Sequence, residues 1–156
     1  MKRAETVEGR GYYFDFLEFK KFFDKSQTPS TPIISMLYAL DSKLDDIFEE
    51  GVENRYARHA ENNKLVRDWG YAHGFELFPE EKFGSVTLNC FKNNLNVDLP
   101  ALLDELKKRF KMVFNGGYGK IKGTTFRISN MGDETPATMK ELLDNIDTIL
   151  PNYIKK

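Results

Sequence analysis

Apolar residues return at helical spacing along four stretches of this chain and alternate with polar ones along shorter stretches between them. Ile33, Met36, Leu37, Leu40, Leu44, Ile47 and Phe48 form one broad stripe. Steps of three and four residues put such side chains on one face of a helix. Thr31 suits the cap of that helix, Pro32 its first position and Gly51 its end. Val52, Tyr56, His59, Ala60, Val66 and Trp69 mark a second helix, which Gly74 closes. Leu99, Leu102, Leu103, Leu106 and Phe110 follow a candidate cap at Asp98. Met139, Leu142, Leu143, Ile146 and Leu150 follow Thr135 as cap and Pro136 as first residue.

Alternation marks the strands. In "SVTLNCFK", Val86, Leu88 and Cys90 alternate with Thr87, Asn89 and Phe91. That predicts a half-buried strand with Cys90 on its apolar side. In "TTFRIS", Phe126 and Ile128 fall on one side and Thr125, Arg127 and Ser129 on the other. "FELF" and "KMVF" read as further short strands, and "NGGYGKIKG" as a glycine-rich hairpin. Residues 75–156 thus run strand, strand, helix, strand, strand, helix. This is an α+β layer, with helices on one face of a small, mostly antiparallel sheet.

The start of the chain is different. "GYYFDFLEFKKFFDK" carries Tyr12, Tyr13, Phe14, Phe16, Phe19, Phe22 and Phe23. It predicts a short strand through Tyr12–Phe16 and then about two helical turns, with Phe16, Phe19 and Phe23 on one side. So much aromatic surface needs a cover. In "SQTPSTP", two Thr/Ser–Pro steps hold the backbone extended.

Composition narrows the functions. A chain of 156 residues can bury one real core, or one core plus a poorly covered appendage. A net charge of −1 gives no pull toward nucleic acid or anionic lipid. The lone Cys90 excludes an internal disulfide and a cysteine metal cluster, and His59 and His73 are poorly spaced for zinc. His59 reads as a core or interfacial histidine. "MKRAETVEGR" lacks the apolar centre of a signal peptide, no stretch has the length of a membrane span, and the default compartment is the cytoplasm. "GYGKIK" is no phosphate loop, because Ser or Thr does not follow its Gly-Lys pair and a strand, not a helix, comes next. Gly116, Gly117, Gly119 and Gly123 instead ask for positive φ or a close approach. Arg127, on the polar side of its strand, can present a planar, doubly donating head to a carboxylate. Residue types alone leave open whether that carboxylate belongs to the protein or to a ligand.

Three segments, "TPSTPIISMLYAL", "EEGVENRYARH" and "NGGYGKIKGTTFRISNMGD", together resemble the C-terminal part of class V pyridoxal-phosphate aminotransferases of the alanine–glyoxylate or serine–pyruvate type. The resemblance runs from Tyr12 to Pro151. It implies the small C-terminal domain of a fold type I aminotransferase over residues 51–156, preceded over 1–50 by a remnant of the larger domain. It implies that Arg127 grips the substrate α-carboxylate. The strip "SQTPST" would reach across a dimer to the cofactor phosphate, with Gln27, Thr28 and Ser30 as the binding residues. Asn130 stands where many members of that family carry histidine.

The resemblance also implies what this stretch lacks. Pyridoxal chemistry needs a lysine to carry the cofactor and a carboxylate to hold its ring nitrogen. No lysine here sits in a context resembling that family's cofactor lysine. The expectation is a chain with no catalytic residue of its own, no covalently bound pyridoxal phosphate and no activity alone. Its partners would be the missing large domain or a second subunit of a homodimer, and its substrates a small amino acid (alanine or serine) and a 2-oxo acid (glyoxylate or pyruvate). The chain by itself is expected to self-associate or to leave residues 1–30 loosely ordered. Two other readings remain: a stand-alone α+β module that binds small carboxylates, and a dimerising piece in which Arg127 is bridged internally.

Overall fold

Phe91, Phe126, Leu102, Leu106, Ile128, Met139, Ile146 and Ile149 are sealed from solvent and mark the centre of one core. The computed structural model describes residues 2–155. It divides into a first unit ending at Glu49 and a second beginning at Glu50, and the core lies in the second.

Three antiparallel strands form the sheet of the second unit: β1 (Leu88–Lys92), β2 (Asn115–Gly116) and β3 (Thr125–Ser129), in the order β1-β3-β2. β3 is central, and Phe126 and Ile128 point from it into the core. Helix α4 (Val52–Ala72) packs against β1 and against α6 (Pro136–Ile149). Gly70 on α4 permits this approach, since a Cβ there would lie 2.3 Å from the ring of Phe91. Helix α5 (Leu99–Glu105) starts at Asp98, whose carboxylate accepts from the Ala101 N–H. It widens into a π turn over Leu106–Phe110 that Lys111 ends with φ 60°. Thr135 caps α6 in a capping box with Thr138. The rings of Trp69, Phe75, Phe91, Phe126 and Phe114 form a continuous chain of contacts through the core.

The antiparallel sheet with its helices matches the α+β reading, but the strands differ in detail. In β1 the buried face carries Asn89 and Phe91, while Leu88 and Cys90 are half-buried and Val86 is 64% exposed. Phe91, the largest apolar side chain of the run, lies opposite Phe126 and takes the core position. Asn89 tolerates burial because its amide donates to the Asn63 carbonyl and its oxygen accepts from Arg67. "FELF" contributes a single bridge, Leu77 to Phe91, rather than a strand. "KMVF" is irregular, and pairing with β3 begins only at Asn115.

In the first unit lie α1 (Lys2–Glu5), α2 (Phe16–Phe23) and nearly all of α3 (Ile34–Glu50), and none of its described residues is buried. The strand expected through Tyr12–Phe16 is absent. Asp15 instead caps α2 by accepting from the Leu17 N–H and the Arg10 guanidinium. Helix α3 begins at Ile34, with Met36 and Leu37 donating to the Ile33 carbonyl, so Pro32 lies ahead of the helix and not at its first position. Gly51, at φ 83°, separates α3 from α4 as expected. No helix among the described residues is long and apolar enough to cross a membrane.

Candidate functional site

Alternation along β3 sends Arg127 to the face opposite Phe126 and Ile128. There it stands in a row across the sheet, paired with Cys90 on β1 and Asn115 on β2. Its Nε donates to the Gly116 carbonyl at 3.1 Å. The guanidinium carbon lies 4.0 Å from the centroid of the Tyr118 ring. Among the described residues no Asp or Glu pairs with it, and its two Nη atoms have no partner. The internal bridge that residue types left open is not formed.

A tight loop holds both contacts in place. A Cβ at Gly117 would lie 2.2 Å from the Thr125 hydroxyl and 2.3 Å from the Ile121 carbonyl, so the loop packs on the start of β3 only because residue 117 is glycine. The Thr125 hydroxyl donates to that same carbonyl at 3.1 Å. A 3-10 turn over Gly119–Ile121 follows, with Gly119 at φ 52°. Burial pushes the Cys90 thiol up, while a Thr125 hydrogen bond and the Arg127 charge pull the other way.

Beyond β3 a second cluster, which sequence reasoning missed, fixes the turn at residues 131–135. Asn130 is buried and its amide donates to the carbonyls of His59 and Val86. Arg55 and Arg58 on α4 each donate to the Gly132 carbonyl at 3.2 Å, and Arg58 also reaches the Glu134 carbonyl. Both arginines also pair with Glu50. The Arg58 hydrogen bond, then that of Arg55, outweighs burial and lowers the Glu50 carboxyl to about 2. "EEGVENRYAR" shows the three charges at close spacing, but nothing in it points to a turn some seventy positions away. A hollow of about 360 Å³ lies beside this cluster, lined by Arg55, Tyr56, His59, Ala60, Val86 and Thr87. His59 is half-buried with Nδ1 2.7 Å from the Arg55 carbonyl, a structural contact, and no group of metal ligands occurs among the described residues.

Gln27, Thr28 and Ser30 belong to the first unit and are exposed. The Thr28 hydroxyl donates to the Ser30 carbonyl at 2.8 Å. A hollow of about 460 Å³ beside them is lined by Phe16, Phe19, Phe23, Gln27 and Thr28 among others. Exposed hydroxyl and amide groups on a proline-stiffened strip suit the oxygens of a phosphate. None of the described lysines is buried, and only Lys43 is half-buried.

The chain matches no protein-family model. It is 38% identical over 123 residues to an uncharacterized aminotransferase of Methanocaldococcus jannaschii, a match spanning 78% of this chain and 32% of that protein. It is 28% identical over 155 residues to a serine–glyoxylate aminotransferase of Arabidopsis thaliana, spanning 96% of this chain and 38% of the relative. The chain is a homologue of part of the class V aminotransferases. An aspartate aminotransferase structure from Thermus thermophilus shares the fold over 96% of this aminotransferase homologue and 42% of its own length, with a TM-score of 0.80 at 24% identity. The homologue thus spans about a third of the length of the curated relatives it matches.

Proposed function

We propose that this chain supplies the carboxylate-binding part of a pyridoxal-phosphate aminotransferase. The whole enzyme would exchange an amino group between a small amino acid, alanine or serine, and a 2-oxo acid, glyoxylate or pyruvate. One observation carries the reading: Arg127 keeps both Nη atoms free of the protein's own acids on the polar face of β3. A guanidinium in that state can take a carboxylate through two parallel hydrogen bonds. Such a grip fixes the substrate about two atoms, so its Cα is placed before any bond changes.

Gln27, Thr28 and Ser30 would bind the cofactor phosphate, the Thr28 hydroxyl turning from the Ser30 carbonyl to donate to it. Bound pyridoxal phosphate supplies the electron sink for breaking a bond at the substrate Cα. The lysine that carries the cofactor would come from polypeptide outside this chain, either the remainder of the length that the relatives have or a second subunit. The chain alone is then inactive.

DNA upstream of the coding region is expected to encode that remainder, in frame or as a neighbouring gene. The two polypeptides produced together should transaminate alanine with glyoxylate, and the chain alone should not. In that assembly Arg127→Lys should raise KM for both substrates by about tenfold or more, since a lysine keeps the charge and loses the fork. Unchanged KM values would remove Arg127 from the site. A stoichiometric borohydride-trapped adduct of pyridoxal phosphate at one lysine of the isolated chain would overturn its incompetence.

A further inference from the structure

Tyr118 is 69% exposed, yet its ring lies against the half-buried guanidinium of Arg127. Its backbone is extended, at φ −111° and ψ 157°, between two glycines. Gly117 is pinned to β3 by the close approach described above, and the Tyr118 carbonyl accepts from the Ile121 N–H at 3.1 Å. The ring therefore projects from a closed turn rather than from a free loop. Its hydroxyl makes no hydrogen bond among the described residues. An exposed aromatic ring with a bare hydroxyl contributes little to the core, so its placement on the guanidinium calls for another explanation.

Arginine side chains are long, and a fork that must meet a carboxylate gains from being held in advance. Here two contacts divide that task. The Gly116 carbonyl takes Nε and limits rotation of the guanidinium plane. The Tyr118 ring covers one face of that plane through a cation–π contact. Neither contact uses Nη1 or Nη2. From this geometry we infer that Tyr118 is a positioning residue, which orders the Arg127 fork for the carboxylate of a 2-oxo acid or amino acid. The inference rests on the carboxylate role proposed above. The ring is the working part, and the hydroxyl is dispensable.

Nitrogen-15 NMR of the arginine side chains in the full chain tests both claims. In the wild type, the Arg127 Nε–H signal should be shifted upfield by the ring current and restrained on the fast timescale, and pyruvate added to tens of millimolar should perturb it. Tyr118→Ala should abolish the ring shift, release the side chain and weaken the pyruvate response at least about fivefold. Tyr118→Phe should retain all three. The fold of each variant is read from the methyl signals of the buried Ile128 and Met139. A wild-type Arg127 that ignores pyruvate overturns the carboxylate reading. An Arg127 that responds to pyruvate but keeps its order and affinity in Tyr118→Ala overturns the inference about Tyr118 alone.

Discussion

A guanidinium held by one carbonyl and one ring depends on the residues that shape the loop, and Gly117 is the tightest of these. Alanine at 117 would drive a methyl into the Thr125 hydroxyl and the Ile121 carbonyl. One of those atoms is backbone, so the loop must move. Overpacking of this kind costs about 1–3 kcal/mol. Gly117→Ala should lower thermal stability by several degrees and also abolish the ring-current shift of Arg127, as differential scanning calorimetry and NMR would show. At this scale the sequence was readable where side chains differ sharply. Phe126 and Ile128 against Thr125, Arg127 and Ser129 leave one possible core face, and Arg127 falls where alternation puts it. β1 was misread because its two faces are nearly balanced. Val86, Leu88 and Cys90 outnumber Phe91, but Phe91 is larger than any one of them and takes the buried place. Asn89 can be buried only because the Asn63 carbonyl and Arg67 meet it from α4, and partners 26 and 22 positions away leave no trace in a strand pattern.

Elements are joined by charge at Glu50, Arg55 and Arg58, which tie the start of α4 to the turn that leads into α6. The Glu50 carboxyl ordinarily titrates near 4.5 and here is held at about 2. A depressed carboxylate contributes its stability fully above its unfolded value and loses it as pH falls toward the folded one. The clasp should therefore be intact above about pH 5 and fade between about pH 4.5 and 2. Chemical denaturation of wild type and Glu50→Gln across that range tests this. The variant should be less stable at neutral pH, and the gap should close as acid is added. A gap independent of pH would show that Glu50 acts by shape and not by charge. Local capping was legible at this scale, as Asp98, Thr135 and Pro136 show, because a cap and its first turn are adjacent in sequence. The cap at Thr31 was not: Met36 and Leu37 take the Ile33 carbonyl, so the helix starts later.

Across the whole molecule, apolar surface is divided very unequally. The second unit seals Phe91, Leu106, Ile128 and Ile149 almost completely. Among the described residues of the first unit none is buried, although Tyr13, Phe14, Phe16, Phe23, Met36 and Tyr38 all lie there and stand open to solvent. So many large apolar side chains left open mark a contact face, and a segment of under fifty residues without a core lacks the burial to fold alone. The aromatic run was legible as a surface in need of a cover, while the identity of that cover is not written in the run itself. The isolated chain, deprived of it, should meet its own copies through Phe16, Phe19 and Phe23. Sedimentation velocity should show concentration-dependent association, and Phe16→Ser with Phe23→Ser should shift the distribution toward monomer. Hydrogen exchange on that monomer should be fast over residues 2–49 and slow over the strands and α6. A wild-type chain that sediments as a monomer at all concentrations, with slow exchange in α2 and α3, would mean that the first unit finds its cover within the chain, and the need for an external partner would disappear.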